Sequence, residues 1–264
     1  MPITAAQLDH YQSKGWVVVE GVFALDRVEW AAKRGVELAE PETQGSENSV
    51  KIDISPDGKE RLPRKLDKPF ARDAAFGRMV FESELPELIK QITGAEPLFF
   101  ADQLFLKPPR HGSAKAYHQD NAYFRLHPDD HVITAWIALD DVDEANGCLR
   151  YIDGSHLGPI LPCEPVPGRT HDLTPDPALI DLTRESLAPV KKGGVVFHHA
   201  KALHCSGPNT SERWRRGYAT HWVAADVTPE QGQIELSYYQ KPELFAGWGE
   251  KYARNAPKAL SAIG

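Results

Sequence analysis

The sequence predicts a mainly β chain with flanking helices, folded as a double-stranded β-helix of the jelly-roll, cupin-like barrel type. Helical patterning dominates up to Gly94. From Pro97 onward, short runs rich in Val, Ile, Phe, Trp and Tyr are separated by clusters of Pro, Gly, Asn and Asp. Helices first and many short, antiparallel-looking strands afterwards describe two sheet layers supported by helices. The chain has 264 residues, 41% of them hydrophobic and 25% charged, which is ordinary for a globular protein. All-β barrels and sandwiches reach this size as one unit, so a single domain over 1–264 is expected.

In chain order, Thr4 is a candidate N-cap for a helix with Leu8 and Tyr11 on one face, ending at Gly15. A short strand, Trp16 to Val19, follows. Leu25 to Glu40 has few breakers, and Val28, Ala31, Ala32, Val36 and Leu38 outline one apolar face of a second helix. Pro41 to Pro63 shifts to Gly, Ser, Asn, Asp and Pro and reads as a loop or lid. A further helix covers Glu84 to Gln91.

Candidate strands are Leu98 to Leu106, Ala116 to Gln119, Val132 to Leu139, Cys148 to Ile152, Leu187 to Val190, Val195 to His199 and Gly217 to Ala224. Asn146-Gly147 signals a hairpin and Gly193-Gly194 another turn. Pro159 to Thr183 reads as a long insertion over a barrel mouth, and the tail aromatics Phe245, Trp248 and Tyr252 are expected to cover the barrel.

A net charge of −7 argues against nucleic acid as a partner, which would require Lys and Arg to neutralise phosphates. The local clusters Lys107, Arg110, Lys115 and Lys191-Lys192 read as solvated surface. Cys148, Cys163 and Cys205 form no CxxC pair, which fits a reducing compartment. No apolar run approaches the length of a membrane span, and the first residues do not resemble a signal peptide. A cytoplasmic monomer or homodimer with no membrane partner is expected.

The segment Ala116 to Tyr123 carries the chemistry. Alternate side chains of a strand share a face, so His118 and Asp120 are expected to point together into the barrel. A later histidine would complete a two-His, one-carboxylate triad, which leaves coordination positions open on iron(II), although zinc sites use similar residues. The spacing alone is weak: 11 His and 37 acidic residues supply roughly 1.5 such pairs by chance. The other match, His127-Pro128-Asp129, contains a proline that favours a turn and reads as structural.

The second block is His204-Cys205-Ser206-Gly207-Pro208-Asn209, followed by Ser211 and then Arg215-Arg216. An arginine beside a metal site suits bidentate recognition of a carboxylate. Strand alternation lets only one of Arg215 and Arg216 face inward. His198 and His199 read as core or hydrogen-bonded histidines, and His10, His111, His131, His156, His171 and His221 lack ligand-like spacing. Asn121, Tyr123 and Arg125 continue the HxD strand and either border the substrate or pack at the rim.

Together with Trp136 to Asp141, Asn146 to Leu149 and Asp153-Gly154-Ser155-His156, these blocks resemble the phytanoyl-CoA dioxygenase family of iron(II)- and 2-oxoglutarate-dependent oxygenases, over roughly residues 4 to 224. The resemblance implies His118, Asp120 and His204 as iron ligands and Arg215 as partner of the distal carboxylate of 2-oxoglutarate. It also implies Ser206, Trp136, Lys65 and Gln103 as lining of the co-substrate pocket. Cys205 departs from the family, which often has glycine there.

Related halogenases replace the carboxylate ligand by a small residue, so Asp120 points to hydroxylation or a kindred oxidation of a small-molecule substrate by O₂, with release of succinate and CO₂. Two other readings compete: a jelly-roll protein that binds metal or ligand without oxidative turnover, and a zinc-dependent hydrolase or isomerase on a cupin-like barrel.

Overall fold

A computed structural model describes residues 2–43, 50–55, 58–167 and 169–230. The tail aromatics Phe245, Trp248 and Tyr252 lie outside the described residues. The helices are α1 (Ala5–Lys14), α2 (Leu25–Thr43), α3 (Pro69–Arg72), α4 (Ala74–Phe81), α5 (Leu85–Thr93) and α6 (Asn121–Phe124). The first strands are β1 (Trp16–Val19), β2 (Val50–Ile54), β3 (Arg61–Asp67), β4 (Leu98–Lys107), β5 (Lys115–His118), β6 (Leu126–His127), β7 (Val132–Ala138) and β8 (Leu149–Ile152). The rest are β9 (Cys163–Val166), β10 (Arg169–Pro175), β11 (Glu185–Ala188), β12 (Val195–His199), β13 (His204–Ser206), β14 (Arg215–Val223) and β15 (Thr228–Pro229).

Thr4 caps α1 through a reciprocal capping box with Gln7, and the helix ends at left-handed Gly15, which hands the chain directly to β1. The main sheet has seven strands in the order β1-β12-β7-β14-β4-β3-β2. A four-stranded sheet, β11-β8-β13-β5, supplies the second layer, so the jelly roll is a two-sheet sandwich and not a closed barrel. No helix among the described residues is long and apolar enough to cross a membrane.

Alternation along the main sheet sorts its two faces. Leu104, Leu106, Ile133, Ala135, Ile137, Phe197, Tyr218 and Trp222 point outward and are buried under α2, α4 and α5, whose Val28, Ala31, Phe76, Val80, Leu85 and Leu88 complete that core. The inner face carries Trp136, Ala138, Val196 and Ala219, which meet Leu149 and Tyr151 of the smaller sheet. The helices therefore fix the outer face of the main sheet and leave the inner face to hold a site.

Two expectations are corrected here. Pro41 to Pro63 is not a loop throughout: α2 runs to Thr43, and β2 and β3 extend the sheet. Their sequences, VKIDI and RLPRKLD, lie at the sheet's end and are polar on one side, so they lack the apolar pattern of an interior strand. Asn146-Gly147 does not close a hairpin, because β7 and β8 belong to different sheets. The Asn146 side chain instead accepts from Asp143 N (2.9 Å) and donates to Asp141 O (2.8 Å), turning the chain from one layer to the other. The insertion after Pro159 carries its own two-stranded hairpin, β9-β10.

Candidate active site

Two cross-strand rows face each other between the sheets. In the smaller sheet Tyr151, His204 and His118 are register partners across β8, β13 and β5. In the main sheet the facing row is Trp16, His198, Thr134 and His221 across β1, β12, β7 and β14. Asp120 sits between the rows. It is not on a strand as expected: β5 ends at His118, and Asp120 has helical backbone angles at the start of α6. The side chains converge because the chain turns inward at that point, not because of strand alternation.

His118, Asp120 and His204 are all buried, and one ligand atom from each lies within 4.8 Å of the others. Asp120 Oδ1 is 3.7 Å from His118 Nε2 and 3.8 Å from His204 Nε2. Each histidine directs Nδ1 to a carbonyl two residues back, Ala116 O and Ala202 O, both at 2.9 Å. A carbonyl only accepts, so Nδ1 carries the proton and Nε2 keeps a lone pair for a metal. Burial pulls both imidazoles below their usual range, His204 to about 4, so both are neutral donors at neutral pH. Burial pushes Asp120 up, but the hydrogen bond from His198 and the electrostatic influence of the His204, His198 and His221 imidazoles outweigh it and hold the carboxylate well below its ordinary value.

The other Asp120 oxygen, Oδ2, is fully engaged. It accepts from Thr134 Oγ1 (2.7 Å) and His198 Nε2 (3.1 Å). His198 Nδ1 in turn meets the Tyr151 hydroxyl (2.8 Å), and His221 Nδ1 meets Thr134 Oγ1 (2.8 Å). Only Oδ1 is thus left for an ion. Sequence reading placed His198 correctly as a hydrogen-bonded residue but gave His221 no part in the site. Even spacing from Trp136 to Thr134 and from Arg215 to His221 carried the signal. Octahedral sites with bonds of about 2.1 Å put neighbouring donors about 3 Å apart, so small side-chain rotations bring these three onto one ion.

Farther along the same inner face, Arg215 is 2% exposed and its guanidinium lies 4.5 Å from the Trp136 ring centroid. Gly217 makes that stacking possible, since a Cβ there would run into the Trp136 indole. Arg215 makes no ion pair among the described residues, and its Nε is buried without a hydrogen-bond partner. Burial lowers it to about 10. Arg216 faces away and forms a two-point contact with Asp140 (2.8 and 2.7 Å), so of the two arginines only Arg215 faces inward.

Ser206 is buried, and Gln103 shares the inner face as register partner of Ala219. Lys65 reaches that face too, but Asp67 holds its ammonium at 3.0 Å. Two of the five cations read as solvated surface are not: Lys107 is 5% exposed, and Lys115 pairs with Asp172 (2.7 Å) below the β9-β10 hairpin. Asp172 also binds Arg64 (2.6 Å), and Tyr123, whose ring edges against His118 at 5.7 Å, bonds Lys115 (3.0 Å). The insertion is thereby latched beside the metal-binding cluster.

The turns around these strands serve placement. The Asn209 side chain donates to Lys107 O (3.0 Å) and Arg213 O (2.6 Å), and Ser155 Oγ accepts from Leu203 N (2.8 Å), next to His204. Cys205 faces away from the cluster toward Tyr117, where its side chain does not disturb His204.

The family model for phytanoyl-CoA dioxygenase (PhyH) matches residues 11–217. The chain belongs to the phytanoyl-CoA dioxygenase family. Among family relatives, the phytanoyl-CoA dioxygenase domain-containing protein 1 homolog of Caenorhabditis briggsae is 32% identical over 184 residues, covering 66% of this chain and 64% of the relative. The chain thus spans less than two thirds of that relative's length. In fold, it is similar to EctD from S. alaskensis with bound Fe (TM-score 0.70, 21% identity, 88% of this chain and 80% of that one). It is likewise similar to EvdO2 from Micromonospora carbonacea var. aurantiaca complexed with 2-oxoglutarate (TM-score 0.64, 23% identity, 87% and 94% covered).

Proposed function

We propose that this member of the phytanoyl-CoA dioxygenase family is an iron(II)- and 2-oxoglutarate-dependent dioxygenase that hydroxylates a small-molecule substrate. The observation that carries the reading is Arg215: a buried guanidinium without an anion partner among the described residues, on the same inner face as the His118, Asp120 and His204 cluster. Burying an unpaired cation is costly, so such a site favours binding an anion. EvdO2 in complex with 2-oxoglutarate and EctD with iron, which share the fold, support the same pair of ligands.

In this reading His118 Nε2, Asp120 Oδ1 and His204 Nε2 hold iron. Arg215 and Ser206 grip the distal carboxylate, with Trp136 as the pocket wall and Gln103 and Lys65 at its border. When bound, iron supplies the chemistry that uses O₂ to convert 2-oxoglutarate to succinate and CO₂ and to oxidise a substrate carbon. The protein fixes the three ligands, keeps both imidazoles neutral and excludes water from the carboxylate pocket. Asp120 fills the position that would otherwise be open to a halide, which favours hydroxylation.

Succinate release from 2-oxoglutarate, measured on iron-loaded protein across pools of candidate substrates, tests the reading. Substrate-stimulated succinate supports it. Absence of both turnover and 2-oxoglutarate binding would leave a metal-binding jelly roll without oxidative activity.

A further inference from the structure

Lys107 has no part in the reading so far, yet it is one of the most enclosed cations among the described residues. It ends β4, directly opposite Arg215 on β14, so both side chains leave the same face. Its ammonium donates to Ser206 Oγ (2.8 Å), Ser206 O (3.5 Å) and the Gly207 carbonyl. Three acceptors thus meet its three N–H groups. Room for it is built into the fold: a Cβ on Gly147 would meet Lys107 Nζ at 3.3 Å and Gly207 O at 2.6 Å.

The direction of the bond to Ser206 has a consequence. A serine hydroxyl has one proton and two lone pairs. Burial and the neighbouring Arg215 charge lower the Lys107 ammonium, but in its charged form it has no lone pair, so the bond runs from Lys107 to Ser206 Oγ as acceptor. The Ser206 proton is therefore free to point elsewhere, and the inner face beside Arg215 is where an acceptor would sit.

We propose that Lys107 is a positioning residue for the co-substrate: by donating to Ser206 Oγ it turns the Ser206 hydroxyl into a donor toward the distal carboxylate, and so selects a dicarboxylic 2-oxo acid over a monocarboxylic one. The proposal rests on the 2-oxoglutarate reading above. It assigns to Lys107 no contact with metal or substrate; Lys107 acts through Ser206.

The test is equilibrium binding of 2-oxoglutarate and of 2-oxopentanoate, which has the same chain length but lacks the distal carboxylate, to anaerobic iron(II)-loaded protein. In the wild type 2-oxoglutarate is expected to bind more tightly. Lys107→Met, Ser206→Ala and the double variant should each reduce that preference by a similar factor, about tenfold for one lost charge-directed hydrogen bond, while 2-oxopentanoate affinity stays near the wild-type value. The double variant should be no worse than Ser206→Ala, because both changes remove the same donor.

Should Lys107→Met fail to fold, Lys107→Gln, which keeps a neutral donor for the Gly207 carbonyl, carries the same comparison. An unchanged preference, equal loss of both ligands, or additive effects in the double variant would overturn the role of Lys107. A wild type that binds no 2-oxoglutarate would instead overturn the underlying reading.

Discussion

Replacing Arg215 with methionine should stabilise the ligand-free protein while destroying co-substrate binding. Burial lowers the guanidinium from 12.5 to about 10. At about 1.4 kcal/mol per tenfold change in proton affinity, keeping it charged costs on the order of 3 kcal/mol. Stacking on Trp136 returns roughly 1–2 kcal/mol of that. Methionine fills similar space without the charge, so the variant should gain about 1–2 kcal/mol, or roughly 2–6 °C in midpoint for a chain of this size.

Losing a bidentate, charge-assisted contact should at the same time cost ~3 kcal/mol of 2-oxoglutarate affinity, about a hundredfold in Kd. Thermal unfolding with and without 2-oxoglutarate reads both effects, because a ligand raises the midpoint only of a protein that binds it. A variant that melts below the wild type without ligand, or that 2-oxoglutarate still stabilises to the wild-type extent, would refute the picture of an unpaired buried cation awaiting an anion.

Removing the His198 donor to Asp120 Oδ2 by His198→Ala should weaken iron binding by about 10- to 100-fold in a chelator competition, with part of the loss restored by His198→Gln. Gly217→Ala forces a Cβ into the Trp136 ring and should destabilise the fold by about 1–3 kcal/mol in denaturant unfolding. Asp172→Asn should raise hydrogen exchange in β9-β10, since Lys115 and Arg64 lose the carboxylate that latches the hairpin.

That latch has a defined pH dependence. Burial pushes the Asp172 carboxyl up, but Lys115 and Arg64 hold it at about 2, below its usual 3.8. A depressed carboxylate stabilises the fold fully above its unfolded value, and that stabilisation is lost as pH falls from about 4 through about 2. The extra exchange caused by Asp172→Asn should therefore be present at neutral pH and shrink toward pH 2.

Much of the fold was legible because its elements carry strong local signals. The Thr4 cap and Gly15 bracket α1, and the near-continuous apolar run of Val132 to Leu139 and the Val-Val-Phe run that opens Val195 to His199 mark central strands, buried on both faces. β2 and β3 were not legible, since polar strands at the end of a sheet show little periodicity. The three members of the candidate triad are brought together, but the route differs: Asp120 reaches the cluster from a helical turn, which a two-residue period cannot foresee.

Strand alternation alone could not choose between Arg215 and Arg216, and only the resemblance pointed to Arg215; the register of β14 with β7 and the contact with Asp140 separate the two physically. Lys107 and Lys115 were read as surface because charge implies exposure on average. Their acceptors, Ser206, Gly207 and Asp172, lie far away in sequence, so only the fold brings them into contact.

Anaerobic titration of iron(II) into the purified chain, followed by 2-oxoglutarate, and repeated on His204→Ala and Arg215→Met, addresses the central claim most directly. One iron and one 2-oxoglutarate per wild-type chain are expected, with His204→Ala losing the metal and Arg215→Met keeping the metal but not the co-substrate. Full iron occupancy in His204→Ala would contradict the account.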